Sequence, residues 1–149
     1  MATTTVKWYG KALIAWANKE VDLVDDAIHE MFTNATEVPD QDLDDYVDDF
    51  IANEVTGTNL ATGGVALDND TLTYTGGTNV LKYDADDESI ANVTATGIKN
   101  IHIADRTPAT DATRPVIAYG ILDTAVSPSA GTLLTTWDAN GIVTMTAAA

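Results

Sequence analysis

Carboxylates are the side chains of this sequence best placed to do chemistry, and two clusters have a spacing that could hold calcium. Asp40, Asp42 and Asp44 occupy alternate positions, as do Asp84, Asp86 and Glu88. Alternate oxygens begin the helix-flanked loop that wraps a Ca2+ ion. Such a loop also needs glycine at its sixth position and a bidentate carboxylate at its twelfth. The first run has Asp45 and Ile51 there, and the second has Ser89 and Ala95. Solvated acidic faces are the expectation, with a loose cation shared between subunits as the open alternative, and no metal site is assigned.

Other chemistries lack their parts. His29 and His102 are the only imidazoles, and neither has a His, Cys or carboxylate at i+2 or i+4 to complete a chelate. They are expected at surface or interface positions. Ser89, Ser127 and Ser129 are the only serines, none in a Gly-x-Ser-x-Gly elbow. The absence of cysteine removes disulfides, thiolate zinc sites and thiol nucleophiles. Gly63-Gly64 and Gly76-Gly77 belong to no phosphate-cradling pattern and read as turns. A glycosidase pair among the carboxylates stays open, since any two could converge in space. The sequons at Asn34, Asn69 and Asn92 are expected to be unused in a protein assembled in the cytoplasm. The expectation is a non-enzymatic protein with no catalytic, cofactor-binding or metal residues and no cofactor.

Charge narrows the partners. Against 23 Asp and Glu stand 7 Lys and Arg, a formal charge of −16. Seven scattered cations cannot assemble a basic patch, so nucleic acid and anionic membrane are not expected partners. Self-repulsion of this size opposes a compact fold in dilute buffer. The Debye length falls to about 3 Å in 1 M salt, where the same carboxylates keep the surface hydrated. The composition points to a halophilic setting. The N-terminal residues lack the basic-then-apolar order of a signal peptide, and no stretch approaches the ~18 apolar residues of a membrane span.

The elements that must carry these residues fall into two portions of one expected domain over 1–149: a helix-containing portion, 1–54, and an antiparallel β portion, 55–149. Trp8, Ala12 and Trp16, with Tyr9, Leu13 and Ala17 beside them, predict an amphipathic helix over 7–17. Residues 27–33 are read as a strand in preference to a further helix. Leu43, Tyr46, Val47, Phe50 and Ile51 alternate with aspartates from Pro39 onward and predict a second short acidic helix. Beyond Glu54 the chain turns to Thr, Gly, Val and Asn. Strands are predicted at 65–67, 71–75, 80–83, 91–96, 98–104, 116–122, 132–137 and 142–146, each bounded by Gly, Asn, Asp or Pro. The tetrapeptide Asp138-Ala139-Asn140-Gly141 is expected to close a hairpin between the last two. Residues 107–115 and 127–131 read as loops. The predicted class is mainly β (α+β): an antiparallel β-sandwich or barrel with an N-terminal amphipathic helix and a second short acidic helix.

Several stretches resemble a family of small proteins encoded among the virion genes of tailed phages and prophages. They are Trp8-Tyr9-Gly10-Lys11-Ala12-Leu13, Pro39-Asp40-Gln41-Asp42, Asn53-Glu54-Val55-Thr56-Gly57-Thr58, Gly63-Gly64, Asp84-Ala85-Asp86-Asp87 and Trp137-Asp138-Ala139-Asn140-Gly141-Ile142. The resemblance spans nearly the whole chain and implies a head-associated structural protein of a virus particle. The chain departs from the family in its greater acidity. It also departs at Gly97-Ile98-Lys99-Asn100, where a continuous apolar central strand is expected. With that acidity, the resemblance is to a tailed virus of a halophilic archaeon. The implied role is capsid decoration on the outer head surface after synthesis in the host cytoplasm, with the major capsid protein and copies of itself as partners. A tail, baseplate or fibre-attachment part is the alternative. A host-glycan-binding module is the third reading, with Trp8, Trp16 and Trp137 as the aromatic candidates.

Overall fold

A computed structural model describes residues 2–148. The described residues carry ten strands: β1 (Lys7–Trp8), β2 (Ile28–Thr33), β3 (Val65–Ala66), β4 (Thr71–Thr75), β5 (Val80–Asp84), β6 (Glu88–Val93), β7 (Ile98–Asp105), β8 (Val116–Val126), β9 (Gly131–Thr135) and β10 (Val143–Thr146). They also carry one α-helix, α1 (Gly10–Ala17), and short 3-10 turns. Every strand pair is antiparallel. The strands form a five-stranded sheet in the order β1-β8-β7-β2-β3, a three-stranded sheet β10-β5-β4 and a ribbon β6-β9. The protein is therefore mainly β with one helix, as its sequence pattern predicts. Among the described residues no helix is long and apolar enough to cross a membrane.

The central strands β2 and β7 are buried on both faces, which explains their nearly continuous apolar sequence. Ile28, Phe32, Ile101 and Ile103 look into the larger core, which the smaller sheets complete with Tyr83, Val93 and Val143. Met31 and Ala104 look the other way, into a second core closed by Tyr9, Ala12, Val47 and Phe50. Residues 27–33, the segment whose letters also suit a helix, form the strand pairing with β7 from Ile28↔Asp105 to Thr33↔Asn100. The Gly97-Ile98-Lys99-Asn100 interruption does not break β7. It is absorbed as a register shift against β8 between Ile98 and Asn100.

The N-terminal helix is shorter than its stripe predicts. Residues 7–8 are strand, Tyr9 is extended (φ −70°, ψ 141°) and the helix begins at Gly10. Pairing with β8 decides this: Lys7 lies opposite Tyr119, Tyr9 N–H donates to Ile117 O at 3.0 Å, and Asp123 N–H donates to Thr3 O in the same register. The chain from Thr3 onward runs along the sheet edge before it turns into α1. Trp8 and Trp16 therefore do not share a helical face, and the buried helical residues are Ala12 and Ala15. Trp16 is half-buried against the larger core. Trp16→Ala is expected to lower stability by about 1–2 kcal/mol, below the ~3–5 kcal/mol of a fully buried ring. A denaturant midpoint shifted by more than that would show tighter packing than the structure has.

The second predicted helix resolves into two 3-10 turns, Val47–Asp49 and Ile51–Asn53. Val47 and Phe50 are fully buried, as their spacing requires. A continuous α-helix is prevented by the aspartates themselves, which bind nearby backbone and compete with helical hydrogen bonds. Asp40 Oδ1 accepts from the N–H groups of Asp42 (3.0 Å) and Leu43 (3.1 Å), and Asp49 Oδ2 accepts from those of Asp45 (2.9 Å) and Tyr46 (3.3 Å). The tetrapeptide 138–141 is also a turn, with Gly141 at φ +95° and its N–H on Asp138 O at 2.7 Å. It joins strands of different sheets, however: β9 pairs with β6 and β10 with β5, so the expected hairpin is absent. Pairing at the predicted strand 91–96 begins earlier, at Glu88, and ends at Val93 after an irregularity.

Candidate functional site

The least expected group is His102. Its position on β7 sends it into the second core, where it is completely buried and not at a surface. Its Nδ1 lies 2.9 Å from Tyr9 Oη and its Nε2 lies 2.9 Å from Thr33 Oγ1. Phe50 stacks on the ring with centroids 4.0 Å apart. Burial pushes the imidazole down to about 3, so it is neutral at physiological pH. The chain of contacts continues through Asn100 Nδ2, which donates to Thr33 Oγ1 (3.0 Å), Asn34 O (3.2 Å) and Glu37 O (3.0 Å). A Tyr-His-Thr line resembles a proton relay on paper. Here both ring nitrogens are occupied by partners from other segments, Tyr9 before α1 and Thr33 on β2, and the line is sealed under Phe50. It ties β2, β7, the Tyr9 segment and the loop after β2 into one unit.

Glu30 is the second buried polar group. The alternation of β2 places it between Ile28 and Phe32 on the face of the larger core, fully inaccessible. Thr135 Oγ1, from β9, donates to its Oε1 at 2.7 Å, and Oε2 has no partner. Burial raises its pKa to about 8, an effect that the nearby Glu88 carboxylate reinforces. Glu30 thus holds its proton at neutral pH. It pins the β6-β9 ribbon to the five-stranded sheet at the cost of a buried carboxyl whose second oxygen has no hydrogen-bond partner.

Between the N-terminal segment, the inner face of the five-stranded sheet and β9-β10 lies an open cleft of ≈ 590 Å³. Its floor is Phe32, Ile98, Ile101 and Leu122, and its rim is dominated by threonines 3–5, 132, 135, 136 and 144. Trp137 stands at the rim, half-buried. Its indole N–H donates to Asp86 O (3.1 Å) and its backbone N–H to Asp87 Oδ1 (2.9 Å). Of the other tryptophans, Trp8 donates through its indole to Thr144 O at 2.9 Å and closes the far side of β10. The three indoles do not share one platform: Trp8 on β1 is bonded to β10, Trp137 beyond β9 is bonded to residues 86–87, and Trp16 lies on α1.

The acidic runs do not converge. Asp40, Asp44 and Asp49 are turned onto backbone N–H groups. In the other run Asp84 pairs with Lys82 at 2.9 Å, Asp86 accepts from Asn69 at 2.6 Å, and Glu88 is buried. Among the described residues no three His, Cys, Asp or Glu side chains are grouped to hold a metal ion. His29 is half-buried with Nδ1 2.8 Å from Gly63 O. Sequence reading missed His102 and Glu30 as interior groups, although one signal was present: Glu30 stands between Ile28 and Phe32 at alternate positions of β2, and His102 is flanked directly by Ile101 and Ile103 in β7. Compared with models of known families, with characterised proteins and with solved structures, the chain matches none of them.

Proposed function

We propose that this chain is a non-enzymatic structural protein of a tailed virus particle, a decoration protein on the outer surface of the capsid. The observation that carries the reading is the division of its surface. Asp45, Asp84 and Asp111 are the only acidic residues, among the described ones, engaged in ion pairs. Most of the 23 carboxylates therefore face solvent without a cation. Strands β4 and β9 and the threonine-rich start of the chain carry no charge at all. Copies of a chain of charge −16 meet with least repulsion through such uncharged surface. Two of the interior groups that could titrate, His102 and Glu30, serve to hold strands together. The resemblance of the sequence to small virion proteins supplies the particle, and the unpaired carboxylates supply the salt-rich setting.

The cleft beside Trp137 favours a second reading, binding of a host glycan. Both readings are tested on assembled particles by quantifying the chain per virion and locating it by electron microscopy. Hundreds of copies over the head support decoration. A few copies at the tail tip would replace it with the alternative. Independently, the thermal midpoint of the purified protein is expected to rise markedly between 0.1 M and about 2 M NaCl as screening removes carboxylate repulsion. A flat response would remove the halophilic argument.

A further inference from the structure

The outer edge of β4 leaves a complete, uncharged strand paired on one side only. Thr71-Leu72-Thr73-Tyr74-Thr75 pairs on one side with β5, in register from Thr71↔Asp84 to Thr75↔Val80. On its other side it makes no hydrogen bond among the described residues. The opposite edge of the same sheet is closed, because the Trp8 indole donates to Thr144 O of β10. Native sheets usually blunt such an edge with lysine, proline or a bulge. β4 has none of these, in a protein where carboxylates are otherwise abundant.

The backbone pattern shows which groups are offered. Ala147 N–H donates to Asn79 O, and Ile142 N–H donates to Tyr83 O, so the odd-numbered residues of β5 turn their backbone groups toward β10. Val80, Lys82 and Asp84 then face β4, and their partners Thr75, Thr73 and Thr71 face inward. The N–H and C=O groups of Leu72 and Tyr74 are left pointing outward.

We propose that β4 is a self-association edge at which a second copy of this chain adds its own β4 antiparallel about a two-fold axis through Thr73. Three observations choose a second copy over another occupant. The strand is a palindrome in residue character, so a two-fold puts Thr71 opposite Thr75 of the other copy and Leu72 opposite its Tyr74, an aliphatic–aromatic cross-strand pair. The outward-pointing Leu72 and Tyr74 meet each other in this register, so each supplies both a donor and an acceptor. The flanking Asp70 falls opposite Gly76 of the other copy, where a Cβ would meet nothing closer than 4.0 Å, so no carboxylate confronts another. Tyr74 is 59% exposed in the single chain, and the pairing would cover it. The inference does not depend on the virion reading: it is a property of the purified chain.

The absence of cysteine makes the register directly testable. Across the proposed axis Thr73 faces its own copy at a non-hydrogen-bonded position, where Cα atoms lie about 4.5 Å apart and a disulfide can close. Thr73→Cys is expected to give a covalent dimer on mild oxidation, whereas Thr71→Cys, facing residue 75, is not. Sedimentation of the parent in 2 M NaCl should show twice the monomer mass. Tyr74→Pro removes an outward N–H together with the ring that pairs with Leu72 of the other copy, and should weaken the dimer roughly tenfold or more. A monomer at every concentration up to about 1 mM, or equal cross-linking of the two cysteine variants, would overturn the proposal. Should Tyr74→Pro not fold, the cysteine pair decides the matter alone.

Discussion

Glu30→Gln is expected to make the protein more stable than its parent at pH 8 while changing little near pH 5. In the folded state Glu30 keeps its proton up to about pH 8, against an ordinary value of 4.5. Folding therefore takes up a proton between these limits. Its contribution is complete below about pH 4.5 and is lost as pH rises through 8, with a slope of at most ~1.4 kcal/mol per pH unit. His102 works in the opposite sense: it stays neutral in the fold down to about 3, so stability falls as pH drops from 6.5 toward that value. Between pH 4.5 and 6.5 the two trends oppose one another. The parent should show a plateau there, an acid limb from His102 and an alkaline limb from Glu30. Glutamine keeps the acceptor for Thr135 and cannot ionise, so it should erase the alkaline limb alone. Denaturant melts of both proteins at pH 5.5, 7 and 8.5 in molar salt provide the measurement. Parallel curves for parent and variant above pH 6.5 would mean that Glu30 is hydrated in the folded protein.

Gly64→Ala is expected to be among the most damaging single-methyl additions in the chain, about 3–5 kcal/mol, from two causes acting together. Gly64 has φ +68°, a left-handed conformation that costs an alanine roughly 1–2 kcal/mol. Its Cβ would also stand 2.9 Å from Met31 Cα, 2.8 Å from the Glu30 carbonyl carbon and nearer still to that carbonyl's oxygen. All three are backbone atoms of a central strand and cannot rotate away. Relief requires β2 to shift, which overpacking studies place at about 1–3 kcal/mol or more. Gly77→Ala is the control, since a Cβ there meets nothing within 4 Å. Equal thermal midpoints for the two variants would show that the chain around Gly64 yields more readily than its contacts imply.

These two sites show how far the residues speak for themselves. The short apolar, β-branched runs within 98–104 and 116–122, bounded by turn residues, mark strands covered on both faces, and the structure places β7 and β8 there. The 3-4 spacing of Val47 and Phe50 correctly marks buried residues, because any compact turn that hides both positions satisfies it. Local chemistry then overrules the helix: the intervening aspartates bind backbone N–H groups within four residues, which spacing alone does not register. Gly63-Gly64 and residues 138–141 are legible as turns, since positive φ is a local property.

Which strands those turns join is a matter of long-range pairing, so residues 138–141 link two sheets instead of closing a hairpin. The same limit applies to the N-terminus: Trp8-Ala12-Trp16 has a helix's spacing, but pairing of Lys7 and Trp8 with β8, more than a hundred residues away, outweighs one turn of helix. His102 and Glu30 are the clearest case. Their types favour solvent, and only the tertiary structure supplies Tyr9, Thr33 and Thr135 at hydrogen-bond distance and so makes burial tolerable. What the sequence determined by itself is periodicity, turn chemistry and charge, all of which depend on near neighbours. Partners brought together by folding, from sheet order to the state of a buried proton, were decided by the tertiary structure alone, because their energies depend on residues far apart in the chain.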